Sequence, residues 1–395
     1  MNVRLFEPLE LRVMTLSNRI VVEPMTQFSA PDGRAGDWHF VHLGQIANSG
    51  AAMVLTESTY MDAEARNSRF CPSPHNDQQE AAVGRMAEFY HVHGTAKFGC
   101  QLCHGGRKGA SRLPWEGGGP LLIEEGGFRA VAPSAIAVRD HWPAPKALEV
   151  NEMKNIIDMF ARSAERAVRA GLELSNCTGA RIFDPFVPLA IRQQAHRYRG
   201  GLENRMRFGL EVFEAVRAVW PDDKPIGYRV SATDWIDGGW TGEGTVSFTK
   251  QLDAMGCDFI DVSSGGRDPR QDIETDPGYQ DRPCRRRKGG REDEGGDGGA
   301  DHLGPSGRID PASRPGGHDQ RCPHHARQPA LAKAGGPRVG RRYPLSTSVR
   351  ARQSPALVFI GGVLSPQSTR GARAREENYG HLIDPARALG GSRRR

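Results

Sequence analysis

Five short apolar runs, each ending in polar or glycine-containing residues, set the strongest limit on the fold. They are "RIVVEPM" from Arg19, "AAMVLTEST" from Ala51, "KFGCQLCH" from Lys97, "PIGYRVSA" from Pro225 and "DFIDVSSGG" from Asp258. Apolar and β-branched runs this short are the pattern of parallel strands buried on both faces. Amphipathic stretches lie between them. In "NEMKNIIDMFARSAERAVRAG", Ile156, Ile157, Phe160, Ala164 and Val168 recur at helical spacing and Gly171 stops the helix. "ENRMRFGLEVFEAVRAVWP" repeats the scheme and Pro221 closes it. Repeated strand–helix units predict an α/β chain folded as a (β/α)8 TIM barrel rather than a doubly wound sheet. No G-x-G-x-x-G follows the first strand, which argues against a Rossmann domain.

The chain has 395 residues, 37% of them hydrophobic and 25% charged, enough for one large barrel. No apolar run reaches the length that spans a bilayer. The opening "MNVRLFEPLELRVMTLSNRI" has acidic residues where a signal peptide needs an unbroken apolar stretch, so the expected location is cytoplasmic, with no membrane partner. The seven cysteines are scattered and odd in number, which fits a reducing compartment rather than a disulfide framework. Cys100, Cys103 and His104 spell C-x-x-C-H, the haem-attachment pattern. That attachment takes place outside the cytoplasm, and no second ligand pair for zinc is evident. The segment is therefore read as the end of a buried strand, and no metal is expected.

After Gln280 the texture changes. "DRPCRRRKGGREDEGGDGGADHLGPSGR" has almost no apolar periodicity, and residues 281–395 hold one convincing strand-like run, "ALVFIGGVL" from Ala356. The composition reads as an atypical Arg/Gly/Pro-rich tail, disordered or frame-shifted, that contributes much of the +6 net charge. A basic tail can bind nucleic acid, but aromatic residues are nearly absent from it and no stacking platform is visible.

In a barrel of this type the chemistry sits at the C-terminal ends of the strands. Those ends supply Pro24, Met25 and Thr26; Glu57, Ser58 and Thr59; Gln101, His104, Arg107 and Lys108; Arg229; and Ser263 with Ser264. The set is rich in amides and hydroxyls and shows no clustered carboxylates. It lacks the paired acids of a glycosidase and the metal-binding acids of phosphoryl transfer. It suits a flat heteroaromatic cofactor with an anionic tail. Gln101 can donate to and accept from a pyrimidine edge, Thr26 can reach a ring heteroatom, and Arg229 can sit beside an electron-rich ring position. Plainer roles stay open: Pro24 and Met25 as barrel core, Arg229 paired with a barrel carboxylate, and His104 as a packing residue.

Residues 1–280 resemble the old yellow enzyme family of FMN-dependent ene-reductases, in particular its bacterial branch. The matching pieces are "LFEPLELRVMTLSNRIVVEPM", "GDWHFVHLGQIANSGAAMVLTE", "CQLCHGGRKGA" before "PW", "VAPSAIA", "GLENRMRF", "YRVSATDWIDGGW" and "DVSSGG", in the family's order and near its spacing. The resemblance implies a (β/α)8 barrel capped by an N-terminal hairpin, with FMN bound non-covalently. It implies NAD(P)H as reductant and hydride delivery through the flavin to the C=C bond of an α,β-unsaturated carbonyl or similar electron-poor compound. By motif, Pro24, Met25 and Thr26 lie along the flavin, with Thr26 at the position that tunes its potential. Ser58 touches the ring through its backbone, Gln101 holds the pyrimidine edge, and Arg229 stands at the N1/O2 side. Trp115 comes from a loop that lids the substrate site. The implied partner is a small molecule, and a homo-oligomer is left open.

The chain also departs from the family. Its fourth strand normally ends in a His-x-x-His or His-x-x-Asn pair followed by Gly-Tyr, which polarises the substrate carbonyl and supplies a proton. Here Ser175 and Thr178 fall near the pair and Ala180 near the tyrosine, so the catalytic residues stay unknown. Losing one such donor costs about 10²–10³ in rate. The glycine-containing phosphate loops that should end strands 7 and 8 are not recognisable in residues 281–350. A one-base shift of reading frame explains both gaps: back-translated and shifted, "LAIRQQAHR", "REDEGGDGGADHLG" and "GGHDQRCP" each give a family-like word. Three readings follow: an FMN-dependent NAD(P)H oxidoreductase, a catalytically inactive or misfolded frame-shifted relative, and a basic-tailed nucleic-acid-binding protein.

Overall fold

The computed structural model describes residues 4–178, 196–198, 200–265, 268, 270, 271 and 273, and two further strands whose side chains lie outside the description. By its contacts the chain forms one compact unit over Met1–Val363, while Leu364–Arg395, a second unit, lies outside the described residues. The stretches read as frame-shifted also lie outside, save for the turn His196–Tyr198.

The chain begins with an antiparallel hairpin, β1 (Leu9–Leu11) and β2 (Met14–Leu16). The units expected from the apolar runs follow: β3 (Ile20–Val22), α1 (Asp37–Ala47), β4 (Met53–Tyr60), α2 (Asp77–His93) and β5 (Lys97–Cys103). A long excursion carries a two-residue pair, β6 (Val131–Ala132) and β7 (Lys146–Ala147). The barrel resumes with α3 (Val150–Arg169), β8 (Leu174–Thr178), α4 (Leu202–Val219), β9 (Ile226–Ser231), α5 (Gly242–Ala254) and β10 (Phe259–Ser263). Six strands, β3, β4, β5, β8, β9 and β10, run parallel side by side.

Two short strands from beyond Gln280 close the ring. β12 (Leu357–Ile360) pairs parallel with β3, and β11 (Leu345–Val349) pairs antiparallel with both β12 and β10. The sequence reading of the tail is corrected on this point: it foresees β12 alone. β11 reads "LSTSV", with too little apolar alternation to be noticed, and its partners' backbone groups supply the pairing instead.

Side-chain alternation divides the core in two. One set of strand residues, Val21, Met53, Leu55, Leu174 and Phe259, packs inside the barrel with Leu9, Leu11 and Leu16 of the hairpin, which plugs that end. The opposite set, including Val22, Val54, Cys100, Leu102, Cys177 and Tyr228, packs outward against the helices. The inner packing is tight. A Cβ on Gly227 would lie 2.3 Å from the Phe259 ring, so no larger residue fits there without displacement. Helix α3 turns Met153, Ile156, Phe160, Ala164 and Ala167 to this outer core and ends before Gly171 in the left-handed conformation (φ +84).

Candidate active site

Above the hydrophobic plug, the inward positions of the strands become polar. Ser58 on β4 donates through Oγ to Gln101 Oε1 on β5 (2.7 Å). On β8, Asn176 lies in register beside Gln101 and donates through Nδ2 to Asp261 Oδ2 on β10 (3.0 Å). Arg229 on β9 donates through Nη1 to the same Asp261 oxygen (2.7 Å) and to Glu23 Oε2, just past β3 (3.3 Å). A polar layer thus crosses the barrel interior, with Ser58, Gln101, Asn176 and Asp261 all buried.

The layer is incompletely satisfied. Gln101 Nε2, a buried donor, has no hydrogen-bond partner, and neither do Asn176 Oδ1 and Asp261 Oδ1, both acceptors. Buried polar groups are normally paired, so open donors and acceptors on one side of a barrel mark a place for a ligand that carries both. The flavin ring, with an amide-like pyrimidine edge, has that chemistry, and the described residues fit it. The residues that would hold its phosphate lie outside the description.

The electrostatics centre on Arg229. Burial works against its charge, but Asp261 and then Glu23 hold its pKa above the ordinary value. Burial and the Asp261 charge push Glu23 well above the usual carboxylate range, against the pull of Arg229. The expectation of no clustered carboxylates is therefore corrected: Glu23 and Asp261 both meet one guanidinium, which ties them up as an ion-pair cluster rather than as a free acid and base. The carboxylate pairing left open for Arg229 by the sequence is present. Alternation could have revealed Glu23, Asn176 and Asp261, since each sits two residues along from an inward apolar residue, Val21, Leu174 and Phe259.

The other candidates fall as follows. Pro24 is buried and Met25 and Thr26 are half-buried, directly after β3. Trp115 is 68% exposed and stands edge-on to Phe28, ring centroids 5.8 Å apart. Ser175 is corrected as a candidate near the lost donor pair. It sits on the outward face of β8 in register with Cys100, because the inward positions of β8 are Leu174 and Asn176. The side chain of Thr178 and all of Ala180 lie outside the described residues. Cys100 packs in the outer core while Cys103 packs with Tyr60, Ala65 and Cys71, so the C-x-x-C-H letters do not converge on one ligand. His104 Nδ1 accepts from the Gly106 N–H (3.0 Å), and burial pushes its pKa down to about 3, the state of a neutral packing residue. Among the described residues no cluster of His, Cys, Asp and Glu could hold a metal. No described helix is long and apolar enough to cross a membrane.

Comparison with known proteins gives a consistent result. Residues 4–275 match the model of the NADH:flavin oxidoreductase / NADH oxidase family. An NADH:flavin oxidoreductase of Gibberella zeae is 34% identical over 295 residues, covering 70% of this chain and 71% of that protein. An NADPH dehydrogenase of Listeria monocytogenes serotype 4b is 37% identical over 268 residues, covering 67% and 74%. Among solved structures, morphinone reductase superposes with a TM-score of 0.59 at 26% identity, covering 73% of this chain and 79% of that one. A morphinone reductase complex with tetrahydroNAD superposes with a TM-score of 0.58, also at 26% identity, covering 72% and 78%.

Proposed function

The chain belongs to the NADH:flavin oxidoreductase / NADH oxidase family, and from that premise we propose that it reduces the C=C bond of α,β-unsaturated carbonyl or similar electron-poor compounds. The family is FMN-dependent and draws its electrons from NAD(P)H. Bound FMN supplies hydride transfer between the nicotinamide and the second substrate. The observation that carries the reading is the unpartnered Gln101 Nε2 in a buried polar layer at the barrel mouth.

In this proposal Gln101 gives its free N–H to the pyrimidine edge while Ser58 fixes the amide's orientation through Oε1. Thr26 and Met25 bear on the ring from the end of β3, and Pro24 holds the turn that presents them. Arg229 stands at the N1/O2 side, its charge largely offset by Asp261 and Glu23. Trp115, braced on Phe28, covers the substrate end. With Ser175 turned outward, no described side chain takes the place of the family's paired donors, so polarisation of the substrate carbonyl is weak. The nicotinamide half of the reaction then outpaces the alkene half. We further propose that residues 1–280 carry the FMN-binding positions, with β11 and β12 only completing the barrel wall, and that the cytoplasm is the location.

The test is anaerobic NADPH and NADH oxidation with 2-cyclohexenone as acceptor, with the saturated ketone quantified. Rapid bleaching of the bound flavin by NAD(P)H, followed by slow turnover in which one saturated ketone forms per nicotinamide oxidised, supports the proposal. NAD(P)H oxidation that occurs only with oxygen and yields no ketone refutes the substrate class.

A further inference from the structure

One buried histidine–carboxylate hydrogen bond lies outside the polar layer yet reaches the segment placed along the flavin. His39 on α1 and Glu57 on β4 meet at 2.9 Å, Nε2 to Oε1, with side chains 4% and 3% exposed. The Gly36 N–H donates to His39 Nδ1 (3.3 Å), which puts the ring's proton on Nε2, facing the carboxylate. The other oxygen, Glu57 Oε2, accepts the backbone N–H of Gln27 (2.9 Å). The Gln27 side chain in turn donates to the Met25 carbonyl (2.8 Å) and accepts from Trp38 Nε1 (3.2 Å).

Both ends of this chain of bonds are fixed. The register of β4 on β5 shifts between Leu55 and Ser58, a bulge that lets Ser58 face inward while its neighbour Glu57 faces α1. The Thr56 and Thr59 hydroxyls both donate to the Glu57 carbonyl (3.1 and 2.9 Å), holding the bulge from either side. At the far end, Phe28 adopts a left-handed φ of 51°, a sparsely populated conformation for a non-glycine residue, and its ring meets Trp115. The bonds at Gln27 and Ser29 flank that residue.

We infer that Glu57 is a positioning residue: held by His39, its carboxylate pins the backbone at Gln27. It thereby sets both the ring-side residues Met25 and Thr26 and the Phe28–Trp115 contact of the lid. The inference rests on the proposed placement of residues 24–26 along FMN. Two donors converge on Glu57, so the position needs an acceptor at both oxygens. Glutamine, its isostere, turns an N–H toward either Gln27 or His39 without opening a cavity, so the bond from the Gln27 N–H is either lost or reduced to a weaker, uncharged one.

Glu57→Gln is the primary test, read by hydrogen exchange at the Gln27 amide without FMN and by FMN titration. Loss of a charge-assisted bond speeds exchange roughly 10- to 100-fold. A less populated binding-competent segment raises the FMN Kd on the order of 2- to 10-fold. Trp38→Phe, at an exposed position that tolerates the change, removes only the outer bond and gives a smaller shift in the same direction. Unchanged exchange at Gln27 in Glu57→Gln overturns the inference, and so does faster exchange with wild-type FMN affinity. If the wild-type chain takes up no FMN, the proposed function falls, while exchange at Gln27 still decides the relay by itself.

Discussion

Gln101→Met separates a cofactor-binding role for the polar layer from a structural one. Methionine nearly matches glutamine in volume, so the change opens no sizeable cavity, and such swaps usually cost under about 1.5 kcal/mol. In the protein alone, the variant removes the unpartnered buried Nε2, whose burial costs about 1–3 kcal/mol, and loses the 2.7 Å bond from Ser58, worth about 0.5–1.5 kcal/mol. The expected net effect on stability runs from a loss of about 0.5 kcal/mol to a gain of about 2.5 kcal/mol. In the complex, the same substitution deletes the donor and acceptor offered to the pyrimidine edge, together worth about 1.5–3 kcal/mol. FMN affinity therefore falls about 10- to 150-fold. Urea denaturation of the apoprotein and quenching of flavin fluorescence on titration measure the two quantities. A loss of stability beyond that range, in parallel with affinity, refutes the reasoning, and so does FMN binding within threefold of wild type.

Three further outcomes follow from the barrel interior. Arg229→Met leaves Glu23 and Asp261 without their cation and costs about 3–5 kcal/mol in urea denaturation at neutral pH. Because the folded state raises the Glu23 pKa, it holds a proton that the unfolded chain has released. Wild-type stability therefore falls as pH rises above the unfolded value of about 4.3, by at most about 1.4 kcal/mol per pH unit, until the folded pKa is passed. Glu23→Gln removes that slope, and parallel pH profiles for the two proteins contradict it. Gly227→Ala forces a Cβ toward the Phe259 ring and destabilises by about 1–3 kcal/mol, while the same change at exposed Gly50 does so only through its positive φ.

Much of the barrel was legible in the sequence, and the reasons differ element by element. Strands β3, β4, β5, β9 and β10 show because burial on both faces demands apolar runs, and α3 shows because one face alone is buried. β8 reads "LSNCT", too polar to stand out, so spacing alone brings Ser175 near the family's donor pair while the register puts Asn176 at the inward position. Gln101 was found through its place in a motif, and its open N–H then emerged from the geometry. The Arg229–Glu23–Asp261 cluster joins residues 206 and 32 positions apart, and the Glu57–His39 pair joins two separated by 18. Such pairings depend on which face of each strand turns inward, and the β4 bulge at Glu57 reverses that alternation where it matters.

The most direct test of an FMN-dependent NAD(P)H oxidoreductase is the visible absorbance of the apoprotein titrated with FMN, followed by anaerobic NAD(P)H. The expected result is saturable uptake of one FMN per chain, with the bound flavin's absorbance bleached by the nicotinamide. A chain that takes up no FMN, or holds FMN that NAD(P)H leaves oxidised, contradicts it.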